Sequence, residues 1–245
     1  MSAAVVTGAA GGIGRAVALA LAADGFEVAV VDIDPAIEET ANIVRASGQA
    51  ALALRADVTS AQDWRSVLDT TEAAFGPLTA LVNNAGIEGA YAPIDEYEED
   101  AFDRVIAVNL RGVFLGLSHG LRRMRAHGGG AVVNMASTSG IRGRAGLSAY
   151  VAAKHGVLGL TRSAALDMAG TPVRVNAVLP GPVDTRMIHA IDANAAQRGQ
   201  IVQRSTSAKP IPPESVAGVV AFLVSNRAAH VNGADWVIDA GSTVI

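Results

Sequence analysis

The stretch Thr7-Gly8-Ala9-Ala10-Gly11-Gly12-Ile13-Gly14 follows directly on the apolar run at residues 3–6 and opens into a segment with Val17, Leu19 and Leu21. A strand that ends in closely spaced glycines and turns at once into a helix is the context of a phosphate-binding turn. Gly8, Gly11, Gly12 and Gly14 let the backbone close tightly, while free N–H groups and the helix dipole stabilise negative charge. Taken alone, the same glycines also fit a purely structural strand-to-helix turn. Asp32 adds weight to the first reading. It follows the apolar run at 28–31, 18 positions beyond Gly14, where a carboxylate accepts hydrogen bonds from both hydroxyls of an adenosine ribose. Its charge repels a 2′-phosphate, and neither Ile33 nor Ala10 supplies a compensating cation, so NAD is favoured over NADP. A strand-end Asp that only turns the chain, a role open to Asp34 before Pro35 as well, is the alternative.

Outward from this unit, short β-branched runs alternate with Ala/Leu-rich segments of helical spacing. Strands are predicted near residues 3–6, 27–31, 50–55, 78–82, 131–135, 173–178 and 235–238. Their continuous apolar character suits strands covered by helices on both faces. The expectation is an α/β chain with one doubly wound Rossmann domain over residues 1–245, built on a seven-stranded parallel sheet. No repeat or Ser/Pro linker divides it. Residues 185–213 break the rhythm, carrying many polar side chains before Pro210-Ile211-Pro212-Pro213; a long connection there reads as a mobile insertion, either a lid over a site or an inert surface loop.

Composition removes several function classes. The chain has 245 residues, 50% hydrophobic and 17% charged, enough to bury a substantial core. With 19 basic and 23 acidic side chains the net charge is −4, which offers no footprint for nucleic acid. Cysteine is absent, excluding disulfides, thiolate nucleophiles and Cys-ligated metal. The histidines His119, His127, His155, His189 and His230 lack ligand spacing, so no metal is expected. No apolar run approaches the roughly 18 to 20 residues of a membrane span. The Ala-rich start lacks a basic n-region and is interrupted by glycines and Arg15, unlike a signal peptide. A cytoplasmic chain without membrane or nucleic-acid partners is expected.

Tyr150 and Lys154 stand four apart in a segment, 148–167, whose Val, Ala and Leu spacing is helical, so they share a face. A nearby ammonium stabilises phenolate and brings a tyrosine from its ordinary pKa of about 10 toward a usable proton carrier. The pair alone is common on helix surfaces. The set is not: TGAAGGIG at 7–14, Asp57-Val58, NNAG at 83–86, Asn109, Ser137, YVAAK at 150–154 and PGPVDT at 180–185, followed by VNG at 231–233 and IDAG at 238–241. Together these resemble the short-chain dehydrogenase/reductase family over the whole chain and in the right order.

The resemblance implies that Tyr150 is the general acid/base and Lys154 the residue that holds a nicotinamide ribose and depresses the tyrosine pKa. Ser137, 13 residues before Tyr150, would anchor the substrate oxygen, and Asn109 would help position a water linking the lysine to solvent; a polar residue bending a helix is the other reading of Asn109. It further implies Asp57 and Val58 beside the adenine, Asn83, Ala85 and Gly86 on the adenosine side, and Ile13, Pro180, Gly181, Val183 and Thr185 toward the nicotinamide. NNAG also reads as a strand-ending turn whose asparagines satisfy backbone groups. Two departures stand out: Ala136 where many relatives carry a second serine, and Ala240 where a second glycine is frequent.

Gly116-Leu117-Ser118-His119-Gly120 matches a hydrolase GxSxG string, but residues 102–125 read as one amphipathic helix and not as a strand-to-helix elbow. Arg122, Arg123 and Arg125 suit a solvated helix C-terminus or the docking of an acidic carrier protein, which keeps a 3-oxoacyl-carrier reductase as the alternative; a catalytically silent NAD-binding regulator is the contrasting class. NNAGIEG at 83–89, NLRGVFLGL at 109–117, GIRG at 140–143 and KHGVLGLTR at 154–162 are similar to NAD-dependent bacterial reductases of cyclic ketones. The resemblance thus implies a compact secondary alcohol or ketone as substrate, in a pocket closed by 88–91, 141–147 and 187 onward, with Arg142 or Arg144 as candidate anion readers. It also suggests a homotetramer joined through the helices at 102–125 and 148–169 and the C-terminal segment.

Overall fold

The computed structural model describes residues 2–202 and 210–244. Seven parallel strands lie in the order β3-β2-β1-β4-β5-β6-β7. They are β1 (Ser2–Thr7), β2 (Phe26–Asp32), β3 (Ala51–Arg55), β4 (Leu78–Asn83), β5 (Gly130–Met135), β6 (Val173–Pro180) and β7 (Asp235–Ile238). The registers Val6↔Val30 and Val6↔Val82 bring the ends of β1, β2 and β4 level. The order reverses between β1 and β4, and in such sheets that crevice at the carboxyl ends is where ligands bind.

Strand alternation distributes the apolar side chains to two cores. Ala4, Val6, Val28, Val30 and Val133 pack on one face against Val17 and Leu21 of α1 (Gly12–Ala23) and Val216, Val220 and Leu223 of α8 (Pro213–Val224). Val5, Ala29, Leu81 and Val132 face the other way, toward Trp64 and Leu68 of α3 (Ala61–Phe75), Leu117 of α5 (Gly112–Ala126) and Val157 of α6 (Ser148–Asp167). Both faces are buried, which explains why the strands read as unbroken hydrophobic runs. The edge helix α2 (Ile37–Ala46) completes the first layer beside β2.

Two elements differ from expectation. The helix read over 102–125 is interrupted: α4 (Glu99–Ile106) passes through one π turn at Ala107–Arg111 before α5, and intrinsic propensity does not encode such a bulge. Within 185–213 the chain forms α7 (Arg186–Gln197) where a loop was expected, and both flanks are tied together, Ile211 N donating to Pro182 O at 2.9 Å and Asp184 N to Ile211 O at 2.9 Å. Residues 203–209 of that expected insertion lie outside the described residues.

Candidate active site

A cleft of about 1180 Å³ opens over the carboxyl ends of the strands. At one end its floor is backbone. Gly11 caps α1 in extended conformation, no side chain bonds the first-turn amides, and that turn holds no acidic residue, so the helix leaves its N–H groups for an anion. The glycines are required by space. A Cβ on Gly14 would lie 2.1 Å from the Gly8 carbonyl oxygen, and one on Gly8, at φ +66, would lie 2.7 Å from Ala85 Cα. A Cβ on Gly11 would meet nothing within 4 Å. It would project into open space beside a cleft-lining residue, the cradle a pyrophosphate needs.

The turn after β4 is stitched to this floor. Thr7 Oγ1 accepts from Asn84 N at 3.0 Å and Ala85 N at 3.1 Å, while Asn84 Nδ2 donates to Thr7 O at 2.9 Å. Asn84, Ala85 and Gly86 line the cleft, but Asn83 does not. As the last residue of β4, Asn83 points the other way and donates through Nδ2 to Asn134 Oδ1 at 2.8 Å in the buried interior. The cleft-facing asparagine of the NNAG motif is thus Asn84, and neither Thr7 nor Asn84 was singled out from sequence.

Asp32 lines the same end. Its carboxylate accepts from Ala10 N at 3.0 Å and Asp34 N at 3.1 Å, which turns the oxygens toward the glycine turn. Three arginines lie near, two of them bonded and the third, Arg186, on the cleft and exposed. Arg15 pairs with Glu39 at 3.0 Å, Arg55 donates to Ile33 O at 3.1 Å, and Arg186 approaches Asp34 at 4.0 Å. Gly12, Ile13, Asp57, Val58, Pro180, Gly181, Val183 and Thr185 also line the cleft.

The other end is built from side chains. Ser137 follows β5, and Tyr150 and Lys154 project from α6 one turn apart; all three line the cleft. The Ser137 hydroxyl stands beside the Tyr150 phenol and favours its ionised form. Lys154 is 3% exposed, its Nζ donates to Met135 O at 2.6 Å, and it sits 5.5 Å from the centroid of the Tyr150 ring. Burial pushes the ammonium down to a pKa of about 8. Burial also pushes Tyr150 up from its ordinary value, with the Ser137 hydroxyl opposing and the Glu88 carboxylate adding to the rise. The tyrosine is therefore held as the neutral phenol, and the depression expected from Lys154 is not among the influences on it.

Asn109 is fully buried in the π turn and stands behind the cleft wall. Its Oδ1 accepts from Ile87 N at 2.8 Å and its Nδ2 donates to Ile87 O at 2.7 Å. The bulge that bends the helix presents the amide that fixes the 86–88 turn beside Lys154, with both polar atoms of the side chain taken by Ile87. Arg144 lines the cleft whereas Arg142 does not; Arg142 instead donates to Ser242 O at 2.9 Å, far along the chain. The GxSxG string lies within α5, where Gly116 and Gly120 allow the helix against β4: Cβ atoms there would come within 2.1 Å of Asn83 Oδ1 and 2.6 Å of Leu81 Cδ2. Among the described residues no group of three or more His, Cys, Asp or Glu side chains could hold a metal, and no helix is long and apolar enough to cross a membrane.

Residues 8–243 match the family model described as enoyl-(acyl carrier protein) reductase. The chain is 43% identical over 242 residues to the cis-4-hydroxycyclohexanecarboxylate dehydrogenase of Sinomonas cyclohexanicum, covering 99% of this chain and 96% of that one. It is 37% identical to the levodione reductase of Leifsonia aquatica, covering 98% and 93%. A crystal structure of levodione reductase superposes with a TM-score of 0.91 at 36% identity, covering 99% and 98%. Carveol dehydrogenase from Mycobacterium avium, solved in complex with NAD, superposes with a TM-score of 0.93 at 26% identity, covering 100% and 98%.

Proposed function

The chain belongs to the short-chain dehydrogenase/reductase family as an oxidoreductase acting on a CH–OH group, and we propose that it transfers hydride reversibly between NAD(H) and a compact cyclic secondary alcohol or ketone. The observation that carries this reading is convergence: Ser137, Tyr150 and Lys154 line the same cleft as the glycine turn and Asp32. The relatives named for cyclohexane derivatives and levodione support the cyclic substrate.

The residues fit the nicotinamide dinucleotide. The uncapped start of α1 and the space beside Gly11 would take the pyrophosphate, and Asp32 would take the ribose hydroxyls. Two carboxylates, Asp32 and Asp34, line that end, and Arg15 and Arg55 are already bonded, which favours NAD. Bound there, the nicotinamide supplies the acceptor or donor of hydride. The chain does the rest. Ser137 holds the substrate oxygen, Tyr150 takes the hydroxyl proton during oxidation and returns it during reduction, and Lys154 places a positive charge beside the phenol as it ionises. Asn109 is a positioning residue that fixes the turn over Lys154.

In the arginine cluster that the carrier-linked alternative would use, one side chain is already paired. Arg123 forms ion pairs with Asp69 and Glu72, and none of Arg122, Arg123 and Arg125 lines the cleft. The half-exposed Phe114 of α5 and exposed Leu166 of α6 favour self-association through these helices, as in the homotetramer that the resemblance implies. Initial rates with NAD and NADP in parallel, over cyclic and linear secondary alcohols and with Tyr150→Phe as the blank, test the reading. NAD-linked oxidation of cyclic alcohols is expected. NADP preference overturns the role of Asp32, and cofactor binding without turnover of any alcohol leaves the silent regulator standing.

A further inference from the structure

Glu88 lines the alcohol end of the cleft with Ser137 and Tyr150. Among the described residues no hydrogen bond or ion pair holds its carboxylate. Its backbone, by contrast, is pinned on both sides. The N–H and C=O of Ile87 are both taken by Asn109, at 2.8 and 2.7 Å. Gly89 adopts φ +74 at a point where a Cβ would lie 2.5 Å from Val105 Cγ2 and 2.6 Å from Tyr97 Oη. Ala90 N donates to that same Tyr97 hydroxyl at 3.1 Å, and Ala92 N to Gly146 O at 3.0 Å. Glu88 is therefore presented by a rigid turn, close enough to the reacting tyrosine for its charge to act on the phenol.

A carboxylate only accepts hydrogen bonds, and as substrate displaces water from the cleft its desolvation costs free energy unless a donor arrives. An alcohol with one hydroxyl brings none to spare, since that hydroxyl is shared between Ser137 and Tyr150. We propose that Glu88 is a specificity-determining residue that accepts a hydrogen bond from a second hydroxyl close to the reacting carbinol, so that the preferred substrates are cyclic diols and the corresponding hydroxy ketones. This assignment rests on the dehydrogenase reading above and narrows its substrate class.

The test compares kcat/KM for 1,2- and 1,3-cyclohexanediol with that for cyclohexanol in the wild-type enzyme, Glu88→Gln and Glu88→Ala, with thermal melts to verify folding. A hydrogen bond to a charged acceptor corresponds to roughly a 10- to 100-fold preference, so one diol should exceed cyclohexanol by at least about tenfold in the wild type, and both variants should lose most of that ratio. A diol-to-cyclohexanol ratio unchanged in both variants overturns the assignment. So does a variant that leaves the ratio intact but speeds oxidation of 4-hydroxycyclohexanecarboxylate, because Glu88 would then act only as a charge screen. If the wild type oxidises neither alcohol with either cofactor, the dehydrogenase reading fails and takes this assignment with it. Turnover of both alcohols at a ratio insensitive to Glu88 overturns the assignment alone.

Discussion

The two ends of the cleft are made of different material. At the glycine end, specificity for an anion comes from backbone: amides left open at the start of α1, a turn admitting no Cβ on Gly14, and the Thr7 stitch to the segment after β4. At the alcohol end it comes from side chains delivered by separate elements, Ser137 after β5, Tyr150 and Lys154 from α6, Glu88 from the turn over Asn109. Backbone architecture tolerates no side chain at Gly8 or Gly14 but is indifferent to the alcohol. Side-chain architecture can lose one group and keep the cavity, so chemistry and binding should separate under mutation.

Tyr150→Phe gives the largest expected effect and the sharpest separation. Removing one hydroxyl abolishes proton exchange, and kcat should fall by about 10³-fold or more, while NADH affinity, read by fluorescence titration, stays within about threefold because the glycine end is untouched. Comparable losses in both quantities would mean that the two ends do not act independently. Gly14→Ala attacks the other material. The new Cβ, 2.1 Å from the Gly8 carbonyl, forces the turn open; overpacking of this kind costs about 3 kcal/mol, equivalent to a melting-temperature drop of roughly 6–12 °C. NADH affinity should fall on the order of 100-fold as the amides splay. An Ala accepted with unchanged affinity would show that backbone spacing does not define this end.

The same contrast governs what was legible beforehand. The glycine turn, Asp32 and the Tyr150/Lys154 pair are local patterns whose physics is complete within a few residues, and the structure places all of them on the cleft. NNAG was half legible: strand alternation sends Asn83 inward to Asn134 and leaves Asn84 to bind the glycine turn, and choosing between them needs the exact residue at which β4 ends. Asn109 and Arg142 meet partners 22 and 100 residues away. No spacing rule reaches that far. The π turn was missed because tertiary packing, not intrinsic propensity, selects it; α7 is Ala-rich and favoured by propensity, buries only Ile191 and Ala195, and was hidden by the polar composition of 185–213.

Lys154 sits where chemistry and stability pull in opposite directions. Its folded pKa of about 8, against an ordinary 10.5, means that between those values the unfolded chain binds more protons, so stability rises with pH there. Below pH 8 the whole cost of burying the ammonium is present. Lys154→Met removes that cost and forfeits the bond to Met135 O and the ammonium's contact with the Tyr150 ring, so at pH 7 the protein without nicotinamide should gain about 1–2 kcal/mol, or roughly 2–8 °C in Tm. At pH 10 the wild-type lysine is mostly neutral and the gain should shrink. Melting curves of both proteins at the two pH values decide it; an equal gap at both would show that the lysine charge is not buried at a cost.

The smallest effect is expected at Ala240, and it lies outside both ends of the cleft. Among the described residues Ala240 is the non-glycine residue with positive φ, +52, at the position where family relatives often carry glycine. The left-handed conformation there is imposed by its neighbours: Asp239 accepts from Gly241 N at 2.9 Å and from Ser242 Oγ at 3.0 Å, closing a tight turn, and Ser242 O is held in turn by Arg142. A Cβ in this region costs about 1–2 kcal/mol, while glycine gives back about 0.4–1 kcal/mol through the freer unfolded chain. Ala240→Gly should therefore stabilise by about 0.5 kcal/mol, on the order of 1–2 °C in Tm, with kcat and cofactor affinity unchanged because no cleft residue moves. A loss of stability would mean that the turn is not strained at Ala240. A change in KM for the alcohol would mean that the Arg142–Ser242 tie transmits the C-terminal turn to the 141–147 loop, making that turn a third component of the alcohol end.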